Sequence, residues 1–155
     1  MVATKLHFLA TDLIPAVKTL SSDTPAKWGK MNAQQMIEHV TGFFKVSSGK
    51  LKFGLVTPEE HLPKYKEFLL SDKEFRENTQ APLSIIGEDA LPLRHPSIDL
   101  AIAELDNSVQ EFVTHFGDDK NMKVTHPVFG PLNFDEWVLL HYKHVKHHLK
   151  QFGIV

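Results

Sequence analysis

Histidine is the residue type in this sequence with the clearest capacity for chemistry. Ten histidines occur among the 155 residues, and four of them lie between positions 141 and 148. On a helix, His141, His144 and His148 fall on the same side as Val145 and Leu149, the side that should be buried. An imidazole buried without a partner costs about 1–3 kcal/mol. A divalent cation that accepts the lone pairs of several neutral imidazoles removes this cost, so the pattern suggests a metal site.

A second stretch of the chain offers a third ligand. His39 lies between Met36 and Val40 on the apolar side of another predicted helix. Because His144 and His148 are four residues apart, they project to one spot, and His39 could complete the set from a facing helix. Three protein ligands with positions left open are typical of catalytic metal sites. Two alternatives fit the same spacing, namely hydrogen-bonded core histidines and a polar, histidine-rich helix surface.

Four amphipathic segments could position these histidines. Asn32 with Gln35 and Asn133 with Glu136 form capping boxes at two helix starts. Pro15 marks the first turn of a first helix that starts late. In chain order the predicted helices cover Leu9 to Leu20, the residues after Asn32, Ser97 to Phe116, and the residues after Asn133 as far as Phe152.

The connection between the second and third helices is about fifty residues long, too long for a structureless loop in a small domain. We therefore predict a short helix from Thr57 to Leu70, and we expect Phe53, Leu55, Ile85 and Ile86 to pack over the bundle. No stretch shows sustained alternation of apolar and polar residues. The sequence predicts an all-α fold, a four-helix bundle in a single domain over residues 1–155, with a long, partly helical connection between helices 2 and 3.

Composition excludes several classes of protein. The chain has no cysteine, so it has no disulfide, no Cys-ligated zinc, no iron–sulfur cluster and no cysteine nucleophile. The formal net charge of −2 gives no basic excess for nucleic acid, and Lys143, Lys146 and Lys150 are expected to form a solvated helix face. No apolar run is long enough to span a membrane, and no signal peptide is recognisable. We expect a cytoplasmic protein.

Common catalytic and cofactor motifs are missing from the sequence. No Glu is followed three residues later by His, as a di-iron carboxylate bundle requires. The sequence also lacks HExxH, GxSxG, GxGxxG and the phosphate-binding P-loop. A haem held by two facing histidines is conceivable, but it leaves the third buried histidine unexplained.

Three segments carry a resemblance to a known family. They are Trp28 to Val40 (WGKMNAQQMIEHV), His126 to Asn133 (HPVFGPLN), and a last-helix segment in which Glu136-Trp137 precedes the stretch from His144 to Gln151. Their pattern and order resemble the DinB superfamily, and most closely a branch of it classed as a domain of unknown function. The resemblance covers nearly the whole chain.

The DinB resemblance implies a fold, a metal and a range of chemistries. It implies an up-down-down-up four-helix bundle that holds a divalent metal, Ni or Zn, through His39, His144 and His148. The metal would activate water or an external low-molecular-weight thiol against an unknown small molecule, as in a hydrolase or an S-transferase. The alternative is a non-catalytic bundle that binds a metal or a small ligand. The resemblance also suggests a homodimer.

The remaining polar residues near the predicted site receive minor roles. We interpret His141 as an outer-shell group or, preferably, as a buried histidine with a hydrogen-bond partner. His147 is expected on the helix surface, and Gln151 matches the DinB pattern without being given a chemical role. No general base is identifiable from the sequence. The candidate carboxylates are Glu38, which we expect to point away from the buried side, and Asp135 and Glu136, which lie at a helix start that favours acidic residues.

Overall fold

The structure, a computed structural model, describes residues 2–77 and 92–154. Within these residues the chain is mostly helical and has one small β-hairpin. Its elements are α1 (Val2–His7), a π-helical turn (Phe8–Asp12), α2 (Leu13–Val17), α3 (Ala33–Ser47), a 3-10 turn (Glu59–His61), α4 (Leu62–Leu70), α5 (Ile98–Phe116), β1 (Val124–His126), β2 (Gly130–Leu132) and α6 (Phe134–Gln151).

Both predicted capping boxes are present, and they set the start of the two helices that carry the histidines. At α3, the Asn32 side chain accepts from the Gln35 N–H at 2.8 Å, and the Gln35 side chain accepts from the Asn32 N–H at 2.9 Å. Asn133 and Glu136 make the same pair of bonds before α6, both at 2.9 Å. Because each box satisfies two otherwise unpaired N–H groups, these helix starts are encoded locally.

The first helix differs from its prediction, because it begins at Val2 rather than near Leu9. Pro15 has no N–H and cannot continue the regular helical ladder to Thr11. The chain widens into the π-helical turn just before the proline, where the Leu13 N–H bonds to the Phe8 carbonyl. A π turn lets the helix continue past the proline.

The β-hairpin is an element that the sequence did not reveal. β1 and β2 pair antiparallel, with Val124 opposite Leu132 and His126 opposite Gly130. Each strand is only three residues long, too short to show a pattern of alternating side chains. Gly130 has φ +82°, a backbone conformation that glycine adopts without strain.

The helices α3 and α6 run antiparallel and face each other across the core. His39, near the middle of α3, lies against His148, while Ser47 at the end of α3 bonds to His141, two turns earlier in α6. Large side chains fill the space around this contact. Among the described residues, the largest fully buried ones are Trp137, Phe44, Phe112 and Phe116.

The connection between α3 and α5 contains the predicted short helix, as the 3-10 turn and α4. The expected packing of its apolar residues is wrong for Phe53 and Leu55, which are each 37% exposed. A backbone bond from the Val56 N–H to the Pro127 carbonyl, 2.8 Å long, holds this segment instead. Ile85 and Ile86 lie outside the described residues. No helix in the described part of the chain is long and apolar enough to cross a membrane.

The last residues of this connection are tied to α3 and α5 by two glutamates. Glu38 accepts the backbone N–H groups of Arg94 and His95 at 2.7 and 3.2 Å. Glu104 bonds to Lys45 at 2.7 Å and to the side chains of Arg94 and His95 at 3.0 Å. Partial burial opposes ionisation of Glu104, but the bonds from Lys45 and His95 and the charge of Arg94 outweigh it and lower its pKa to about 2.

Replacing Glu104 by glutamine should therefore destabilise the protein in a pH-dependent way. A carboxyl group whose folded pKa lies below its unfolded pKa stabilises the fold above the unfolded pKa, near 4.5, and loses that contribution as the pH falls towards 2. Urea unfolding should show Glu104→Gln to be less stable than the unmodified protein at about pH 7, with a smaller difference at about pH 3. Glu67→Gln, at an exposed position of α4, is the control and should change little. A pH-independent loss in Glu104→Gln would contradict this account.

Candidate metal centre

The three histidines singled out by the sequence come together between α3 and α6. The Nε2 atom of His144 lies 3.1 Å from Nε2 of His39 and 3.1 Å from Nε2 of His148. One ring nitrogen from each of the three residues lies within 4.8 Å of the other two. The three nitrogens therefore converge on one point, although 105 residues of chain separate His39 from His144.

The donor set fits a divalent metal. An imidazole nitrogen carries either one hydrogen or one in-plane lone pair, so Nε2 of His144 cannot make separate, well-directed hydrogen bonds to both neighbours. Two ligands bound 2.0–2.1 Å from a tetrahedral zinc ion are about 3.3 Å apart, close to the two 3.1 Å separations observed. One cation would use all three lone pairs, whereas hydrogen bonds among these nitrogens cannot.

The charge state of the three rings also fits metal binding. Burial, together with the nearby His147, lowers the pKa of His39 to about 4. Burial and the neighbouring rings also hold the pKa values of His144 and His148 well below the ordinary value. All three imidazoles are therefore neutral near neutral pH, the form in which histidine binds a metal.

One side of the triad is less enclosed than the other. His148 is buried, 6% exposed, whereas His39 and His144 are half-buried. Phe43 forms a wall beside the two half-buried rings, with centroids 5.2 Å from His39 and 5.1 Å from His144, and both contacts are edge-on. Phe43 therefore lies against the two less buried members of the triad.

Comparison with known proteins identifies the family to which the chain belongs. The sequence profile of the DinB superfamily matches residues 10–152 of the chain. The chain belongs to the DinB superfamily. Searches of curated proteins and of solved structures returned no significant match. The DinB match spans α3 and α6, so all three converging histidines lie inside it.

His126, from the second DinB-like motif, is a buried residue close to the site whose role the sequence did not suggest. The backbone N–H groups of Val128 and Phe129 share the single lone pair of its Nδ1 in a bifurcated hydrogen bond, at 3.0 and 3.2 Å, so Nε2 carries the ring proton. Its ring stacks on Phe43, with an interplanar angle of 16°. Burial lowers the pKa of His126 to about 3. The neutral ring thus closes the hairpin turn and packs against Phe43. In the sequence, the HPVFG motif was the feature that could have indicated a role for His126.

His141 is a buried histidine with a hydrogen-bond partner, the interpretation that the sequence favoured. The Ser47 hydroxyl donates to the Phe44 carbonyl at 2.9 Å, so its oxygen accepts from Nε2 of His141 at 2.8 Å. The His141 ring stacks on Phe44, with centroids 3.8 Å apart. Its role is in the core of this DinB domain, and it is not one of the three converging rings.

The prediction for His147 is wrong, because this residue is only 8% exposed. It packs between Trp28, 5.4 Å away between ring centroids, and Phe75, 5.8 Å away. Both partners lie in segments that join helices, and a helical wheel of α6 contains no information about them. His147 contacts His148 but does not belong to the group of converging nitrogens.

No carboxylate joins the three nitrogens in the described part of this DinB domain. Glu136 is occupied by its capping box and by an ion pair with Lys66, and Asp135 is exposed. Glu38 was expected on the outer side of α3, but it is buried under the segment that contains Arg94. Although burial raises its pKa, the bonds it accepts lower the pKa overall. Glu38 is an ionised anchor for that segment.

The lysines of α6 do more than form a solvated face. Lys143 donates to the carbonyls of Ser71 and Lys73, and Lys150 pairs with Glu74. The chain after α4 is thereby held along α6, beside the triad. The solvated-face interpretation is therefore wrong for Lys143.

Proposed function

We propose that this protein is a metal-dependent enzyme in which His39, His144 and His148 hold one divalent ion, Ni or Zn. When bound, the ion supplies Lewis acidity that lowers the pKa of water or of an external low-molecular-weight thiol, the nucleophile for attack on a small molecule. The observation that carries the proposal is the convergence of three neutral imidazole nitrogens within 4.8 Å. Three ligands leave positions open, the arrangement of catalytic rather than structural sites.

The chain's own residues have distinct tasks in this proposal. The three imidazoles bind the ion, and Phe43 shields them from bulk water on the less enclosed side. Because the chain has no cysteine, a thiol nucleophile has to come from a separate molecule. No carboxylate accompanies the histidines among the described residues, so within that part of the chain a proton leaving a bound water or thiol would pass to solvent.

A non-catalytic metal- or ligand-binding bundle is the second candidate function. The observation that favours it is the same missing general base among the described residues, since many hydrolytic sites use one. In that case the triad would bind an ion tightly without turning over a substrate. The small-molecule substrate, the homodimer and the cytoplasmic location stay predictions.

We also infer that the four long helices have the up-down-down-up order that the DinB resemblance implies. From Lys45, in the last turn of α3, to Lys50, just beyond its end, the ion-pair partners on α5 advance from Glu104 to Glu111, so α3 and α5 point the same way. The antiparallel contact of α3 with α6 accounts for the last change of direction.

Adding zinc or nickel to metal-free protein should raise its melting temperature. A ligand that binds only the folded state stabilises it by about 2.7 kcal/mol at a free concentration 100 times Kd. In a chain of this size that corresponds to a rise of roughly 5–11 °C. Magnesium, which prefers oxygen ligands, is the control and should have little effect. Differential scanning calorimetry measures the shift, and no shift with any transition metal would contradict the proposed site.

A paired activity screen tests the reaction itself. The zinc- or nickel-loaded protein is incubated with small thiols and electrophiles in one arm and with esters, amides and phosphoesters in the other. Turnover that needs a thiol supports an S-transferase, and turnover without one supports a hydrolase. The variant His144→Ala, which should lose metal binding, serves as the blank in both arms. Silence in both arms, despite tight metal binding, favours the non-catalytic bundle.

A further inference from the structure

Gln151, at the C-terminal end of α6, makes a contact with the triad that its position in the sequence did not suggest. It is 3% exposed. Its Oε1 atom lies 2.7 Å from Nδ1 of His148, and its Nε2 atom donates to the Trp28 carbonyl at 2.8 Å. Gln151 therefore connects one of the three converging histidines to the backbone of the loop before α3.

The two contacts of Gln151 together determine which nitrogen of His148 carries the proton. The Trp28 carbonyl can only accept, so the amide nitrogen of Gln151 must face it and the amide oxygen must face His148. That oxygen can only accept, so Nδ1 of His148 must donate to it. A neutral His148 with its proton on Nδ1 has a bare lone pair on Nε2, the atom 3.1 Å from His144.

The turn at Trp28 and Gly29 is shaped to receive the glutamine. Gly29 has φ +82°, and a Cβ atom there would lie 2.7 Å from Nε2 of Gln151. The Lys27 N–H also donates to the backbone carbonyl of Gln151 at 2.7 Å. A side chain at position 29 would displace the amide, so the glycine is needed for the close approach as well as for the backbone conformation.

We propose that Gln151 is a positioning residue that fixes His148 in the Nδ1–H tautomer and aims its Nε2 lone pair at the point shared with His39 and His144. The Trp28-Gly29 turn holds Gln151 in the orientation that this requires. The assignment of a metal to that lone pair rests on the proposed function, whereas the tautomer itself does not. Such outer-shell bonds orient metal-binding histidines in general, and losing one costs about 10–100-fold in metal affinity.

The tautomer is tested directly by NMR of the metal-free protein with ¹⁵N-labelled histidine. His148 should show a protonated Nδ1 and an unprotonated Nε2. In Gln151→Leu, which keeps the size but has no acceptor, the Nδ1–H tautomer should lose its dominance, and zinc affinity should fall about 10–100-fold. Gln151→Glu keeps an acceptor for Nδ1–H, so it should retain the tautomer and most of the zinc affinity.

Two further variants keep the test decisive. Gly29→Ala leaves Gln151 in place but crowds its amide, and it should shift the tautomer in the same direction as Gln151→Leu. Gln34→Leu removes another buried glutamine, bonded to Glu38 and the His95 carbonyl, and should leave the His148 tautomer unchanged. If Gln151→Leu fails to fold, the unmodified protein and Gly29→Ala still decide.

The possible results separate this inference from the proposed function. An Nε2–H tautomer in the unmodified protein, or an unchanged tautomer in folded Gln151→Leu, overturns the role of Gln151 even if zinc binds. The expected tautomer in a protein that binds no zinc or nickel supports the positioning role and overturns the metal-dependent function.

Discussion

Replacing His144 by alanine is expected to weaken zinc or nickel binding by more than about 100-fold, beyond the usual effect of an outer-shell change. His144 is the central member of the triad, because its Nε2 atom is the one that lies 3.1 Å from both other nitrogens. Without it, His39 and His148 offer only two ligands from different helices. Isothermal titration calorimetry on metal-free protein measures the loss, and the metal-induced rise in melting temperature should disappear with it.

His147→Phe is the matched control for this experiment. The phenyl ring keeps the aromatic contacts with Trp28 and Phe75 but has no nitrogen. Because His147 is not one of the converging nitrogens, metal affinity should stay within a few-fold of the unmodified protein. Equal losses of affinity in His144→Ala and His147→Phe would mean that the ion binds elsewhere on α6.

Replacing Trp137 by alanine is expected to lower the free energy of unfolding by about 3–5 kcal/mol. Trp137 is fully buried, 0% exposed, and its indole N–H donates to the Val124 carbonyl at 3.0 Å. Its ring also contacts His126 and His141, so it joins the hairpin to the core side of α6. Deleting it removes that packing and leaves a cavity. Urea unfolding measures the loss, equivalent to a fall of roughly 6–20 °C in melting temperature.

Two variants separate the contributions within this effect. Trp137→Phe keeps most of the ring but loses the donor to Val124, so its cost should lie well below that of Trp137→Ala. Tyr65→Ala deletes an aromatic ring that is 37% exposed and should also cost less. If Trp137→Ala is no more destabilising than Tyr65→Ala, the hairpin is not anchored through the indole ring.

Features set by neighbouring residues in the chain were predictable from the sequence. The capping boxes at Asn32 and Asn133 depend on residues three positions apart, and the structure has both. The convergence of His39 with the histidines of α6 could also be anticipated. Three polar rings on two apolar helix faces need a common partner, and the DinB motifs place them in one family pattern.

Features set by contacts between distant segments could not be predicted in this way. Glu38 and His147 are buried by loops, the segment 92–97 and the residues Trp28 and Phe75, and a helical wheel does not contain those loops. The role of Gln151 could not be anticipated because the partner that orients its amide, the Trp28 carbonyl, is 123 residues away in the chain. The hairpin could not be predicted because its strands, three residues each, are too short to show alternation of apolar and polar residues.

The separation of 105 residues between His39 and His144 has a consequence for unfolding. An ion held by both residues binds only while the two helices that carry them are folded together, so unfolding has to release it, and the free energy of unfolding would rise with the free metal concentration above Kd. In a protein that contains no sulfhydryl groups, metal availability would then control how firmly the first and last thirds of the polypeptide stay joined.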